Sequence, residues 1–328
     1  MQSRKTSVDL WHQKPYYSLD AWCKNTYGRK LYKAALDIGC TCPNRDGTLD
    51  TRGCIFCSAG GSGDFAASRQ LSVTDQLNQA KALLSSKWTP EPGKPSLIAY
   101  FQAYTNTYGD PDRLLSCYEE ALSSPEVAGI SIATRPDCLS DIILEGLDRL
   151  QLLYPDRFIW IELGLQSIHD HTAARIRRGY PTSVFYDAAA KLHARRLPFI
   201  VHLILGLPGE TRLDLQESIR AVNQVHPFGV KLQLLHILKG TDLALLYEAG
   251  KLPVLTQEEY LDLLTSCIAA LSPDICLHRV TGDGPRRLLI APQWSLSKRN
   301  VLNGLHALMK QRNLRQGDNY EPGTSYTL

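Results

Sequence analysis

Short apolar runs alternate with amphipathic helical patterns along most of this 328-residue chain. The alternation extends from about residue 34 to residue 240 and forms six successive strand-and-helix units. Parallel strands need a crossover connection, which is usually a helix, so this rhythm is typical of a parallel sheet. The sequence therefore predicts an α/β fold, a partial (β/α)6 TIM-type barrel with a C-terminal α/β appendage.

The predicted strands place the polar stretches of the chain at one edge of the sheet. Barrels of this kind carry their active sites at the carboxyl ends of the strands. The strands are expected at residues 33–39, 96–103, 129–134, 158–165, 198–208 and 229–238, and the helices at 73–85, 139–153, 169–178 and 182–196, with two more from Pro111 and Thr211.

Two flanking regions lack the alternation. Residues 1–33 are basic and aromatic without a clean period, and we expect them to pack as an irregular cap on the barrel domain, residues 34–240. Residues 241–328 contain a long helical stretch, a strand at CLHRVTG and a basic terminal helix, and form the predicted appendage. No apolar run is long enough for a membrane span, and the first residues lack the apolar segment of a signal peptide. A cytoplasmic protein without a membrane anchor is expected.

Three cysteines follow the first predicted strand in a C-x11-C-x2-C arrangement: Cys42, Cys54 and Cys57. Gly47 and Gly53 lie in the long interval, where their backbone freedom lets the chain return to the close pair. A Cys-x-x-Cys pair with a third thiolate is typical of an iron–sulfur cluster. Three protein ligands would leave one iron open to a substrate or cofactor.

Other interpretations of the nine cysteines remain open at this point. A structural zinc site takes four protein ligands, so it would need a distant fourth ligand here. Cys40 is an alternative to Cys42 as the third ligand. The remaining cysteines have no cluster spacing and are interpreted as packing residues in a reducing compartment: Cys23, Cys117, Cys138, Cys267 and Cys276.

The cysteine loop resembles that of the radical S-adenosylmethionine (SAM) superfamily, in which three cysteines hold a 4Fe-4S cluster and SAM chelates the fourth iron. The usual spacing there is C-x3-C-x2-C, and this chain is similar to a branch with expanded spacings. Phe56 matches the aromatic residue that commonly precedes the last cysteine. The resemblance implies a cluster on Cys42, Cys54 and Cys57. It also implies reductive cleavage of SAM to methionine and a 5'-deoxyadenosyl radical that takes hydrogen from a substrate.

Two stretches resemble superfamily segments that contact the amino-acid and ribose parts of SAM. Residues 100–110 lie where a Gly-Gly-Glu type motif meets the SAM ammonium; the glycines are absent, and Gln102, with Tyr104 as the alternative, is the implied acceptor. In the second stretch, IATRPD, Thr134 and Arg135 are the implied contacts. The aspartate that ends it, Asp137, is expected to cap the following helix instead.

The stretch ELGLQSIHDHTAARIRRGY resembles the ELGVQS and R-G-H signature of the coproporphyrinogen dehydrogenase and Elongator catalytic-subunit branch. Gln166 matches the ribose-binding glutamine. Arg178 matches the arginine paired with the SAM carboxylate, which a guanidinium can meet bidentately. Tyr180 replaces the usual histidine. Glu162 is expected to point into the barrel at the cofactor site, where a buried carboxylate requires a partner.

The stretch HLILGLPGET resembles the D-x-x-x-G-L-P-G-x-T pattern of the same branch. His202 stands where an aspartate contacts the cofactor, and the alternative is a histidine packed in the core. Gly206 and Gly209, with Pro208, predict a turn on which backbone groups approach adenine.

Charge is unevenly distributed along the chain. Residues 1–33 hold seven Lys/Arg against two Asp/Glu, and residues 276–328 hold eight against three, while the segment between them is acidic. Two basic ends and many aromatic rings favour a single-stranded polyanion as partner, although solvated surface charge is the alternative.

By resemblance, relatives act on the wobble uridine of tRNA, so tRNA modification is the favoured function. A flavodoxin- or ferredoxin-type reductant is the implied electron donor. The alternatives are a radical SAM enzyme on a small metabolite or protein side chain, and a non-enzymatic zinc or iron–sulfur scaffold.

Overall fold

The computed structural model describes residues 10–84, 94–282 and 284–322. This part of the chain divides into two compact units. Unit A comprises residues 29–164 and 177–199, and unit B comprises residues 10–28, 165–176 and 200–322 of the described ranges.

Unit A is built from strands that alternate with helices. Its strands pair in parallel, β1 with β2, β2 with β3 and β3 with β4. The elements are β1 (Tyr32–Leu36), α2 (Val73–Leu84), β2 (Leu97–Phe101), α3 (Pro111–Ser123), β3 (Val127–Thr134), α4 (Asp141–Leu153), β4 (Phe158–Gln166) and α6 (Thr182–Ala194).

The strands of unit A are buried along almost their whole length, as expected for a parallel sheet covered by helices. All five residues of β2 are buried, and the ring of Phe101 meets that of Tyr118 from α3 edge-on with centroids 4.9 Å apart. A Cβ at Gly129 of β3 would come within 2.4 Å of the carbonyl oxygen of Phe158. Glycine at this position therefore permits the close pairing of β3 with β4.

Unit B contains the remaining strands and both chain ends. Strands β5, β6 and β8 pair in parallel, and β7 pairs with β9 antiparallel. The elements are α1 (Leu19–Tyr27), α5 (Asp170–Arg175), β5 (Phe199–Leu205), α7 (Arg212–Val225), β6 (Gly229–Leu234), β7 (Ile237–Leu238), α8 (Asp242–Glu248), α9 (Gln257–Ala270), β8 (Cys276–Arg279), β9 (Leu289–Ala291) and α10 (Lys298–Gln311).

The main sheet has the strand order β1-β2-β3-β4-β5-β6-β8, which is the parallel α/β arrangement of a partial TIM-type barrel. The predicted fold class is thus confirmed, with one addition. Strand β8, assigned from sequence to the appendage, joins the main sheet beside β6 and makes it seven-stranded. The predicted strand at 229–238 is interrupted and becomes β6 and β7.

The N-terminal segment, expected to be irregular, contains a regular helix. The Ser18 side chain accepts a hydrogen bond from the Ala21 backbone N–H and caps α1, and Gly28 ends the helix in the left-handed conformation. The Leu277 N–H of β8 donates to the Tyr17 carbonyl at 2.7 Å, which ties this segment to the C-terminal part of unit B. Within the described ranges, no helix has both the length and the apolar character needed to cross a membrane.

Candidate active site

The residues between Cys42 and Cys54 form a compact loop that is closed by its own backbone. The Arg45 N–H donates to the Cys42 carbonyl at 2.8 Å, and the Gly53 N–H donates to the Asn44 carbonyl at 2.7 Å. Gly53 has a φ of +77°, a conformation that residues with a Cβ rarely adopt. The chain doubles back on itself, so the expanded spacing still returns Cys54 to the neighbourhood of Cys42.

The thiols of Cys42, Cys54 and Cys57 are electrostatic neighbours, and the Cys138 thiol also neighbours Cys42. Burial raises the pKa of the Cys54 thiol to about 12, and the neighbouring thiols of Cys57 and Cys42 contribute in the same direction. Cys57 also has a pKa raised by burial, with Cys42 again among its neighbours. Burial raises the pKa of the Cys40 thiol to about 11, and the thiol that neighbours it is that of Cys117.

Elsewhere among the described residues, the partly exposed side chains of His169, Asp214 and Glu217 bring their potential ligand atoms within 4.8 Å of one another. Exposed acidic groups of this kind are common without a metal ion.

Two residues that the sequence analysis missed surround the thiols. The side-chain amide of Asn44 donates to the Cys54 sulfur at 3.5 Å and to the Arg177 carbonyl at 2.7 Å. The Arg45 guanidinium donates to the carbonyls of Cys57 and Ser58, both at 2.8 Å. Positive charge and N–H donors favour thiolates and bound anionic clusters. No motif marks these residues beyond their position inside the loop.

The predicted cofactor residues Arg135 and Arg178 meet beside the cysteine loop. Arg135 donates to the backbone carbonyl of Arg178 at 2.9 Å, and the Arg178 guanidinium donates to the Tyr180 carbonyl at 3.1 and 3.0 Å. Both guanidinium groups lie over the Tyr180 ring, 5.0 and 4.4 Å from its centroid. A tyrosine in place of the usual histidine thus presents its ring face to two cations.

Asp137 does not cap the helix that follows it. Its carboxylate binds the Arg135 guanidinium bidentately, at 2.9 and 2.7 Å. Helix α4 is capped by Ser140, whose hydroxyl accepts from the Ile143 N–H at 3.4 Å. The expectation that Asp137 caps this helix is wrong, because its carboxylate is occupied by the buried Arg135 guanidinium and Ser140 supplies the cap.

The predicted SAM contacts Gln102 and Tyr104 donate hydrogen bonds to the segment that follows Cys57. The Gln102 amide donates to the Ser62 carbonyl at 2.7 Å, and the Tyr104 hydroxyl donates to the Ala59 carbonyl at 2.5 Å. Tyr104 has a left-handed φ of +61°. A Cβ at Gly61 would lie 2.4 Å from the Tyr104 ring, so glycine is required there.

Two further predicted residues lie on β3 and β4. The buried Thr134 hydroxyl is 2.5 Å from the Thr107 hydroxyl. Glu162 is fully buried, and its carboxylate accepts from Lys33 at 2.9 Å and from Ser131 at 2.7 Å. The buried carboxylate thus has the partners that its position requires.

Unit B holds the last two predicted residues. Gln166, at the end of β4, has a left-handed φ of +68°, and its buried Oε1 has no hydrogen-bond partner among the described residues. A non-glycine residue in this conformation is uncommon and often marks a functional site. His202 on β5 is half-buried and lies opposite Lys231 of β6. The turn after β5 has left-handed glycines, with φ of +88° and +81°, at the two predicted positions.

Comparison with known proteins identifies similar sequences. The model of the radical SAM superfamily matches residues 42–222, and that of the radical SAM C-terminal domain matches residues 227–311. Uncharacterized protein YtqA of Bacillus subtilis is 40% identical over 305 residues, which cover 93% of this chain and 92% of that protein. Protein YhcC of Escherichia coli is 36% identical over 271 residues, 82% of this chain and 84% of that protein.

One solved structure supports the fold. Elp3 of the archaeon Methanocaldococcus infernus, lacking residues 1–46, matches with a TM-score of 0.62 at 17% sequence identity. The match covers 75% of this chain and 61% of that one, so the present chain corresponds to about six tenths of the archaeal structure. The likeness concerns the fold.

Proposed function

Because the chain belongs to the radical SAM superfamily and is a radical SAM enzyme, we propose that Cys42, Cys54 and Cys57 hold a 4Fe-4S cluster whose open iron binds SAM. The observation that carries this proposal is the folded loop, which returns Cys54 and Cys57 to Cys42 and leaves Cys40 beside a different thiol. Three cysteine ligands would leave one iron of such a cluster open for a cofactor. The Cys138 thiol also neighbours Cys42.

The surroundings of the thiols suit an anionic cluster. Asn44 supplies an N–H to a sulfur, and Arg45 and Arg135 supply positive charge next to the cysteine pair. When bound, the cluster and SAM supply reductive cleavage of SAM into methionine and a 5'-deoxyadenosyl group that abstracts hydrogen from the substrate. The residues of the chain orient these groups and keep out water.

Gln166 is the best supported contact for SAM. Its buried Oε1 is an unused acceptor at the end of β4, which a ribose hydroxyl would satisfy. Arg178 already donates to Tyr180 and Thr182. We therefore propose that Arg178 binds the SAM carboxylate by exchanging these contacts. Thr134, Arg135, Glu162 and His202 stay predicted SAM contacts.

We propose tRNA as the substrate class, modified at the wobble uridine. The support is the resemblance to the Elongator catalytic-subunit branch, the similarity of the fold to an archaeal Elp3, and the basic chain ends. The electron would come from a flavodoxin- or ferredoxin-type protein. An oxygen-labile cluster and nine free cysteines favour a reducing compartment, so a cytoplasmic location is proposed with it.

The test is anaerobic reconstitution with iron and sulfide, followed by SAM and dithionite, with 5'-deoxyadenosine measured with and without bulk tRNA. We expect deoxyadenosine to form and bulk tRNA to raise its rate, while Cys42→Ala forms none. Formation of deoxyadenosine that tRNA never accelerates would reject tRNA and leave a metabolite or protein substrate. Intact SAM under every reductant would reject the cluster assignment itself.

A further inference from the structure

Unit B brings the two basic ends of the chain together around one pocket. The Gln316 N–H donates to the Pro15 carbonyl at 2.9 Å, and the Tyr17 N–H donates to the Gln316 side chain at 2.9 Å. The His306 ring of α10 contacts the Tyr16 ring with centroids 5.7 Å apart. These bonds join residues about 300 positions apart in sequence.

The pocket between these segments has a volume of about 430 Å³. That size is within the range of small-molecule sites, about 300–1,000 Å³. Its lining combines cationic and apolar side chains without a carboxylate: His12, Gln13, Lys14, Pro15, His306, Met309, Lys310, Asn313, Leu314 and Arg315.

The lining of the pocket carries positive charge that a bound anion could contact. Lys310 and Arg315 are exposed and make no ion pair with a described residue, while Lys14 is held in place by Asp20 at 2.9 Å. The carboxyl end of α10 contributes about half a negative charge, which the two exposed cations, Lys310 and Arg315, outweigh. Burial and then the charge of Lys14 lower the pKa of His306, consistent with a positive local field.

The rim of the pocket has an unusual backbone. His12 and Gln13 have φ of +52° and +63°. Non-glycine residues in the left-handed region are uncommon, and two in succession give this rim a defined backbone shape.

We propose that this pocket binds one nucleotide unit of the RNA substrate, with the phosphate against Lys310 and Arg315 and the nucleoside against Leu314. The proposal rests on the proposed function and adds a place where the RNA strand is held. Phosphate contacts of this kind position a nucleic acid and carry no sequence information. The pocket would thus raise affinity for tRNA in general.

The experiment measures binding of fluorescently labelled bulk tRNA to the reconstituted protein over a series of salt concentrations. Lys310→Gln with Arg315→Gln should weaken binding about tenfold and reduce the slope of log K against log salt by about 1. The matched control, Lys251→Gln with Arg299→Gln, removes the same charge from exposed positions outside the pocket and should stay within about twofold of wild type. Lys310→Arg with Arg315→Lys should keep most of the affinity, and the thermal midpoint of each variant verifies folding.

The outcomes distinguish a failure of the pocket assignment from a failure of the proposed function. If wild type binds tRNA and both double variants weaken it equally, the effect is general charge and the pocket assignment is overturned. If wild type binds adenosine monophosphate and the pocket variant loses only that binding, the site takes a free nucleotide and the RNA assignment is overturned. If wild type itself binds no tRNA, the proposed substrate class is wrong, and the pocket assignment fails with it. Formation of deoxyadenosine without RNA would still test the cluster independently.

Discussion

The side-chain amide of Asn44 lies 3.5 Å from the sulfur of Cys54 and donates a hydrogen bond to it. The same amide also donates to the backbone carbonyls of Arg177 and Arg178, at 2.7 and 3.1 Å. One side chain thus ties the cysteine loop to the segment that carries the predicted SAM arginine. Partners of this kind orient metal ligands and tune their affinity.

Replacing Asn44 with alanine should weaken cluster retention. Loss of such an outer partner typically lowers metal affinity about 10- to 100-fold, so Asn44→Ala should lose iron faster than wild type to a chelator. The measurement is iron and sulfide per chain after anaerobic reconstitution and a timed chelator challenge. Thr51→Ala, exposed in the same loop, is the control and should retain iron like wild type. Equal retention by Asn44→Ala would contradict the role given to the amide.

The two neighbouring cysteines Cys40 and Cys42 should differ sharply. Cys42→Ala removes a ligand and should abolish the cluster absorbance and the bound iron. Cys40→Ala removes a buried thiol that lies beside Cys117, and should keep the cluster at a stability cost of about 1 kcal/mol. Both variants are compared by iron content and by thermal unfolding. Full iron in Cys42→Ala, or none in a folded Cys40→Ala, would reverse the assignment.

The buried pair of Lys33 and Glu162 should show strong coupling. Removing one partner of a buried ion pair costs about 3–5 kcal/mol, and the partial exposure of Lys33 places Lys33→Met near the lower end. Lys33→Met with Glu162→Gln should recover much of that loss, because no buried charge is then left without its partner. Denaturant unfolding of the four proteins measures the coupling. Additive effects of the two substitutions would show that the pair does not act as a unit.

The ion pairs of Asp262 should make part of the free energy of unfolding depend on pH in the acidic range. Burial alone would raise its pKa, but hydrogen bonds from Arg312, at 2.6 Å, and from Arg212 outweigh it and lower the pKa. A lowered folded-state pKa means that the stabilisation is present above the unfolded pKa of about 3.9 and disappears as pH falls through the folded value.

Asp262→Asn should therefore destabilise the protein by about 1 kcal/mol at pH 7 and by progressively less below pH 4, because the pair is largely exposed. Unfolding free energies of wild type and variant across this pH range measure the difference. Asp274→Asn, which replaces an exposed carboxylate that makes no ion pair with the described residues, is the control and should change the free energy of unfolding at pH 7 only slightly. A difference between wild type and Asp262→Asn that is constant from pH 7 to pH 2 would argue against the charge contribution.

Much of the architecture follows from local sequence. The predicted helix starts at Pro111 and Thr211 agree with the structure because capping is decided within a few residues: Asp110 caps α3, and Thr211 forms a capping box with Asp214. The addition of β8 to the sheet was not predictable in the same way. Four residues at 276–279 pair with a strand more than 40 positions earlier, and strand length and apolarity do not identify that partner.

The candidate site also combines features set by local sequence with features set by the fold. The spacing of the cysteines and the family motifs named Cys42, Cys54, Cys57 and Gln166 from residue type alone. The side chains around the cysteines depend on how residues 43–53 fold. That fold places Asn44 and Arg45 there, although no motif marks these two residues.

The sequence by itself determined the parallel α/β class and the superfamily, because periodicity, capping and motif spacing are properties of short segments. The cysteine trio as the cluster ligands stays a prediction. Only the tertiary structure decided that Asn44 meets the Arg177 carbonyl, that Lys33 meets Glu162, and that the two basic ends line one pocket. The physical reason is that these contacts join residues far apart in the chain. Their partners are chosen by the packing of whole elements and the path of the loops.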